Sequence, residues 1–227
     1  YRRPWAKVAN PSRKFEFTVE ILGKPFGLFG MSGFALHPLS LYTPAVAAMR
    51  SLGDIRERRA LVALRDAGCR SIQVEEPTVH FWANTYGRNH DDVKFMVEAY
   101  NREVQGLDDV EVWIHTCWGN PNMQKVFSDE SYANSVEIYL ERLKGDVWTI
   151  EATENNFKEL PLFKSFKNRL KKKIAVGVIS HRTLQADFPD VIAERIRRSL
   201  KHIPADKLIL STDCGFGRRL SRRNCEV

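Results

Sequence analysis

The sequence predicts an α/β protein of the (β/α)8 TIM-barrel-like type, with a doubly wound sheet as the other arrangement of the same elements. Two observations lead to this prediction. Short β-branched or aromatic runs alternate along the chain with segments that carry apolar residues at helical spacing. Side chains able to bind metals or transfer protons fall at the ends of these runs. In parallel α/β folds, the carboxyl ends of the strands are where active-site loops gather.

Six runs of the chain are predicted to be strands. They are Pro25–Met31, Ser71–Glu75, Val110–Thr116, Val147–Glu151, Ile174–Ile179 and Lys207–Thr212. A complete barrel of this type has eight strands. We therefore expect a barrel-like sheet that lacks its first two strands in this chain, with those strands upstream of Tyr1. The 227 residues are expected to form one domain, residues 1–227, that ends in a basic tail at 218–227.

Amphipathic segments between these runs are predicted to be the crossover helices. One helix over Asp54–Asp66 is expected to end at Gly68, and another is expected to begin near Pro189. Three further segments carry apolar stripes at spacings of three and four residues. The stripes are Val93, Val97, Tyr100 and Val104; Tyr132, Val136, Leu140 and Leu143; and Ile192, Ile196, Ser199 and Ile203.

The composition restricts the class of partner. The net charge of +7 is concentrated in Lys164–Lys173 and Arg218–Arg223, where aromatic side chains do not alternate with the basic ones. We therefore expect a solvated helix face and a basic tail, and no nucleic-acid partner; acidic or phosphorylated small molecules stay open. No apolar run approaches the roughly 18 residues of a membrane helix, so no membrane partner is expected. Four scattered cysteines favour a reducing compartment, the cytoplasm.

Histidine and cysteine side chains follow two of the predicted strands. His115 and Cys117 come at the end of one, and Cys214 follows another. Imidazole nitrogen and thiolate sulfur are ligands that zinc prefers, at roughly 2.0–2.3 Å. Ligands spread over different strand ends are more typical of a catalytic zinc site than of a structural one. The alternative is a pair of inert buried cysteines with a hydrogen-bonded core histidine. No Gly-x-Gly-x-x-Gly follows any predicted strand, so a dinucleotide site is not supported.

Five short motifs occur together in one order along the chain. They are Ile72-Gln73-Val74-Glu75-Glu76-Pro77, His115-Thr116-Cys117, Thr149-Ile150-Glu151, Gly177-Val178 and Asp213-Cys214-Gly215. In order and spacing they resemble the C-terminal barrel of the cobalamin-independent methionine synthase family, over residues 20–219. Enzymes of that family transfer a methyl group from methyltetrahydrofolate to the sulfur of homocysteine on zinc. The resemblance therefore implies a Zn²⁺ cofactor, a small homocysteine-like thiol and a methyltetrahydrofolate-like donor.

The resemblance also assigns roles to individual residues. It implies that zinc is held by His115, Cys117, Glu151 and Cys214, with the carboxylate as the ligand an incoming thiol displaces most easily. A zinc-bound thiol is deprotonated at neutral pH, which makes it a nucleophile. Glu75 matches the acidic position that holds the amino group of the thiol substrate, where the family usually has Asp. Trp118 and Asn120 follow the His-x-Cys motif. These two are expected to line the substrate pocket, with packing of the loop as the alternative.

One motif departs from the family pattern. The family carries Asp-x-His-Ser after the Gly-Val pair, whereas this chain reads Ser180-His181-Arg182-Thr183. We expect His181 to be the catalytic acid–base residue, although it is displaced by one position. Either the acid–base partner is supplied differently or the alkyl donor is not a folate. Related epoxyalkane:coenzyme M transferases use the same metal chemistry on epoxides, and Arg182 would suit a sulfonate or carboxylate tail. A non-catalytic remnant of the fold is a third hypothesis.

Overall fold

The computed structural model describes residues 18–21, 24–27, 58–120, 125, 131–183 and 185–216. The chain divides into two compact units, Tyr1–Ile55 and Arg56–Val227, which are described separately. The expected single domain over residues 1–227 stays a prediction, and the basic tail at 218–227 lies outside the described residues.

The first unit contains a two-stranded antiparallel sheet. Strand β1 is Thr18–Ile21 and strand β2 is Lys24–Gly27, with Thr18 opposite Gly27. The strand predicted at Pro25–Met31 is therefore corrected in two respects: it begins at Lys24, and it pairs antiparallel outside the parallel sheet. Only residues 22–23 separate the two strands, and a parallel pairing needs a crossover of a dozen residues or more. Residues 28–31 lie outside the described part of the chain.

The second unit is built on a parallel sheet. Its described strands are β3 (Ser71–Glu75), β4 (Glu111–His115), β5 (Val147–Ile150), β6 (Lys173–Ile179) and β7 (Leu208–Thr212). They are hydrogen-bonded in sequence order, and each neighbouring pair is parallel. The five strands predicted after residue 70 are confirmed to within one residue at each end. The α/β fold class is confirmed with them.

Burial changes systematically across this sheet. The four residues of β5 are all buried, and β6 is buried from Ile174 to Val178, as expected for central strands covered on both faces. Strand β3 instead alternates exposed and buried residues. In β7 none of the five residues is fully buried, and Leu210 is 48% exposed. The centre of the core therefore lies around β5 and β6, where Trp148 stacks on Tyr139 with ring centroids 4.9 Å apart.

Helices lie before and between the parallel strands. They are α1 (58–66), α2 (Pro77–Tyr86), α3 (Asp91–Glu103) and α4 (Pro189–Leu200), with 3-10 helices at Leu160–Phe166 and Ala205–Lys207. The stripe predicted on α3 is buried, and α4 begins at Pro189 as expected. The predicted end of α1 at Gly68 is confirmed, because the φ of 98° at Gly68 suits a glycine just after a helix. The predicted start of this helix, residues 54–57, lies outside the described residues. No helix in the described ranges is long and apolar enough to cross a membrane.

The sequence did not predict α2, and it predicted the wrong kind of helix for the stripe beginning at Tyr132. That stripe is buried, but its second half is a π-helix, Ile138–Arg142. The Leu143 N–H donates to the Ile138 carbonyl at 2.9 Å, which is the i→i−5 bond of a π-turn. The Tyr139 carbonyl, which an α-helix would use for that N–H, accepts instead from Lys172 Nζ at 2.7 Å. A buried lysine from the segment before β6 thus satisfies the carbonyl that the π-turn leaves without its α-helical partner.

Candidate metal site

Three of the predicted ligands lie together at the carboxyl edge of the parallel sheet. His115 ends β4, Cys117 follows it, and Cys214 follows β7. One ligand atom from each lies within 4.8 Å of the others, and all three residues are buried. The two sulfur atoms are 3.7 Å apart. Strands β5 and β6 separate β4 from β7, so the sheet must be strongly curved to bring these side chains together.

The chemistry of these three residues fits a zinc ion. An imidazole nitrogen and two sulfurs are a preferred donor set for zinc. Within the described part of the chain, His115 Nε2 is buried without a hydrogen-bond partner. Such an atom is costly to leave unsatisfied, and a metal ion would satisfy it.

The tendency of Cys214 to ionise also favours a cation beside the two sulfur atoms. The hydrogen bond between Cys117 and Cys214 lowers the pKa of Cys214, with a further contribution from His115. The same hydrogen bond raises the pKa of Cys117, and burial adds to that effect. Of the two thiols, Cys214 is therefore the one that ionises more readily. Asn120 supports that sulfur, because its Nδ2 donates to Cys214 Sγ at 3.4 Å and to the Gly215 carbonyl at 3.0 Å.

Glu151 does not join this group of three. Its carboxylate follows β5 and is 1% exposed, but it belongs to a second group, with His181 and Asp213, whose ligand atoms lie within 4.8 Å of one another. Burial raises the pKa of Glu151, while the Trp118 N–H and the charge of Arg182 act against that rise. The four ligands implied by the resemblance are thus divided between two neighbouring groups. Glu151 as a zinc ligand stays a prediction.

His181 is buried beside the candidate metal ligands. It is 1% exposed, and among the described residues neither of its ring nitrogens has a hydrogen-bond partner. Burial lowers the pKa of His181, and the charge of Arg182 lowers it further. The imidazole is therefore neutral at pH 7 and has a nitrogen able to accept a proton. Its catalytic role stays a prediction.

Asp213 is a site residue that the sequence reasoning did not single out. Its Oδ1 accepts from the backbone N–H groups of Ala152 and Thr153 at 2.8 and 3.1 Å, and burial raises its pKa to about 8. It thereby joins the loop after β5 to the loop after β7. A Cβ added to Gly177 would lie 2.0 Å from Asp213 Oδ1, so only glycine leaves room for this carboxyl group. Its position inside the Asp213-Cys214-Gly215 motif was the available signal.

The three predicted substrate-binding residues have different surroundings. Glu75 is 40% exposed at the end of β3, with Oε2 3.7 Å from His115 Nε2, and is therefore accessible to a ligand. Its neighbour Glu76 is buried and accepts from the Val79 N–H as the N-cap of α2. Asn120 is buried against Cys214, as described above. Trp118 is fully buried, and its indole nitrogen has no hydrogen-bond partner among the described residues. Its role in substrate binding stays a prediction, with packing of the loop as the alternative.

The core around Trp118 supports the loop that carries Cys117. The His80 ring lies 4.2 Å from the Trp118 ring and 4.7 Å from that of Tyr132. His80 Nδ1 is 2.8 Å from Ser135 Oγ. The Tyr132 hydroxyl accepts from the Glu151 N–H at 3.1 Å. This cluster of His80, Trp118, Tyr132 and Ser135 therefore fixes both the His-x-Cys loop and the start of the Glu151 loop.

A cavity of about 660 Å³ lies at the opposite end of the strands from these residues. Its lining is mostly charged and includes Glu111, Asp146, Lys173 and Lys207. These residues stand at or just before the amino ends of β4 to β7. In parallel α/β folds that end contributes to stability, whereas active sites form at the other. The candidate site is therefore the His–Cys cluster.

A curved parallel sheet with buried candidate metal ligands at its carboxyl edge defines an α/β protein of the barrel-like class. Within that class, the chain belongs to the cobalamin-independent synthase family, whose catalytic domain matches residues 47–225. The family resemblance seen in the five motifs is thereby confirmed.

Relatives and solved structures agree with this assignment. The chain is 28% identical over 153 residues to a methionine synthase of Sulfurisphaera tokodaii, covering 67% of this chain and 38% of that protein. It is 27% identical over 161 residues to a methionine synthase of Thermococcus kodakarensis, covering 70% and 40%. The chain thus spans well under half the length of these relatives.

One solved structure supports the fold. It is a B12-independent methionine synthase from Shewanella sp. W3-18-1 in complex with selenomethionine, with a TM-score of 0.59 and 21% identity. The match covers 81% of this chain and 52% of that one. Because the two sequences are only 21% identical, this match supports the fold and nothing further.

Proposed function

We propose that this chain takes part in zinc-dependent transfer of a methyl group to a small homocysteine-like thiol, from a methyltetrahydrofolate-like donor. The observation that carries the proposal is the convergence of His115, Cys117 and Cys214 from two non-adjacent strands. Membership of the cobalamin-independent synthase family supports the reaction class. A cytoplasmic location is the prediction that goes with it.

His115, Cys117 and Cys214 are the residues that would hold the ion. When bound there, zinc lowers the pKa of a coordinated thiol, so that the thiolate exists at neutral pH. Asn120 holds the Cys214 sulfur in place. The cluster is almost fully buried, which excludes water and strengthens electrostatic interactions at the site.

Two further residues are suited to handle the thiol substrate. The carboxylate of Glu75 is partly exposed beside His115, where it can bind the ammonium group of an amino-acid thiol. His181 is neutral at pH 7 because burial lowers its pKa, so its imidazole can accept the thiol proton. Both residues lie at the carboxyl ends of strands, Glu75 at the end of β3 and His181 just after β6.

The other hypotheses find less support. The epoxide alternative depended on Arg182 as a binding group for an anionic tail, but that guanidinium pairs with Glu151 and donates to the Gly119 carbonyl. A non-catalytic remnant would have no need to keep two cysteines and a histidine in contact inside the core.

The test is metal content together with transfer activity, measured on the full-length protein. We expect one equivalent of zinc, and its loss with activity in Cys117→Ser and Cys214→Ser. Cys69→Ser is the matched control, because Cys69 is a partly buried cysteine outside the site. It should keep zinc and activity. If both site variants retained zinc and methyl transfer to homocysteine, the proposed function would be wrong.

A further inference from the structure

The cavity at the amino ends of β4 to β7, called the amino-end cavity below, has the size of a ligand-binding cleft. Its volume of about 660 Å³ lies within the range of about 300–1,000 Å³ that is usual for small-molecule sites. Its wall is formed by residues within 108–111, 140–146 and 171–173, and by Lys207. None of the candidate metal ligands lines it, so the cavity is separate from the His–Cys cluster.

Lysine side chains reach the amino-end cavity from three separate parts of the chain. One lies between the π-helix and β5, three consecutive lysines lead into β6, and one stands just before β7. The Lys207 ammonium donates to the Lys171 carbonyl at 3.1 Å, which holds the starts of β6 and β7 side by side. The five lysines of the wall are Lys144, Lys171, Lys172, Lys173 and Lys207.

Lys172 is the buried member of this group. It is 7% exposed, and its Nζ donates to the carbonyls of Tyr139 and Leu143 at 2.7 and 2.6 Å. An ammonium group has three N–H donors, so one is left for a group in the cavity. The charge of Asp146 acts on Lys172, but burial outweighs it and lowers the pKa of the lysine to about 8. A buried cation with so little compensation favours an anionic partner.

Most carboxylates of the wall are already engaged with other groups. Among the described residues, by contrast, Lys144 and Lys171 have no carboxylate within ion-pair distance. Asp108 and Asp109 complete the acids of the wall, just before β4. The engaged carboxylates are Glu111 with Lys173 at 3.6 Å, Glu141 with Arg169 at 2.6 Å, and Asp146 Oδ2 with the Val112 N–H at 2.8 Å.

We propose that the amino-end cavity binds the phosphate group of a small molecule, through Lys144, Lys171 and Lys172. A phosphate group offers several strong acceptor oxygens, and lysines bind it as point charges. Asp108 and Asp109 can accept hydrogen bonds from hydroxyl groups in the rest of such a molecule. This inference goes beyond the proposed function and does not depend on it, because no metal takes part.

The test is the dissociation constant of inorganic phosphate, measured by phosphorus NMR on the full-length protein at constant ionic strength. Lys172→Met should weaken binding about tenfold or more, because it removes the buried donor. Lys171→Gln and Lys144→Gln should each weaken it about two- to fivefold, because exposed charges contribute less. Lys167→Gln is the matched control, since Lys167 is an exposed lysine outside the cavity, and it should bind phosphate as wild type does.

A phosphate monoester distinguishes between two sources of the same chemistry. Glycerol phosphate should bind more tightly than inorganic phosphate, because the cavity has room for the glycerol and its hydroxyl groups can donate to Asp108 and Asp109. Replacing both aspartates by asparagine should reduce that advantage. Equal affinity for the two compounds would mean that the site recognises the free phosphate ion.

Three results would overturn the inference. Wild type would show no saturable binding up to about 10 mM phosphate; Lys172→Met and Lys171→Gln would both bind phosphate as wild type does; or Lys167→Gln would weaken binding as much as Lys171→Gln, which indicates general attraction to a basic surface. Cys117→Ser should leave phosphate binding unchanged, and a loss of binding there would place the phosphate at the His–Cys cluster instead. If circular dichroism shows that Lys172→Met does not fold, Lys171→Gln and Lys144→Gln decide.

Discussion

Acid should destabilise this protein through His80, a residue outside the metal-binding group. His80 is fully buried in α2, against the rings of Trp118 and Tyr132. Burial lowers its pKa from 6.5 to about 3. The folded protein therefore keeps this imidazole neutral at pH values where the unfolded chain protonates it.

The sign and size of the effect follow from this difference. Between pH 6.5 and about 3, the unfolded chain binds more protons than the folded protein, so stability falls as the pH falls through that range. At pH 5, which lies about 1.5 pH units below the ordinary histidine value, His80 alone should cost ~2 kcal/mol of unfolding free energy. A loss of that size is a large part of the stability of an ordinary domain.

The assay is urea unfolding at pH 7 and pH 5, with chelator present so that bound metal does not contribute. Wild type should lose ~2 kcal/mol more between these pH values than His80→Gln does. His80→Phe serves as a second variant, because it also lacks the titrating group but packs differently. The two variants should differ at pH 7 yet share the reduced pH dependence. An equal loss in wild type and both variants would refute the reasoning.

Three further predictions concern stability. Gly177→Ala should cost more than ~2 kcal/mol in urea unfolding, because the new methyl group would overlap Asp213; a near-neutral effect would contradict that close approach. Tyr132→Phe removes the hydroxyl that accepts from the Glu151 N–H and should cost ~1 kcal/mol by the same measurement, whereas an unchanged midpoint would count against the bond. Lys172 has a pKa lowered by burial to about 8, so wild-type stability should rise between pH 8 and 10.5. A similar rise in Lys172→Met would exclude that cause.

Patterns that depend on burial could be predicted from the sequence. The continuous apolar character of Ile174–Ile179 and the stripe from Val93 to Val104 both reflect a covered face, and the structure shows each where it was expected. The His-x-Cys motif and Cys214 could be placed at strand ends for the same reason, since strand ends follow from strand positions. The distance between these residues could not be predicted, because it depends on how strongly the sheet curves from β4 to β7.

Features that depend on a single long-range contact could not be predicted from the sequence. The π-turn at Ile138–Arg142 has its freed carbonyl bonded by Lys172, which comes 30 or more residues later in the chain. The pairing of Glu151 with Arg182 likewise joins two loops that local patterns describe separately. Helix α2 does carry a local signal in the sequence, namely a proline at its first turn preceded by a capping glutamate.

The separation of Cys117 and Cys214 has a consequence for heat resistance. These residues are 97 positions apart, and they flank the central strands of the sheet. An ion shared by their sulfurs would act as a cross-link that encloses most of the second unit. By analogy with a disulfide closing a loop of that length, the restriction on the unfolded chain is on the order of 4 kcal/mol. Removal of such an ion would then lower the melting temperature of this unit.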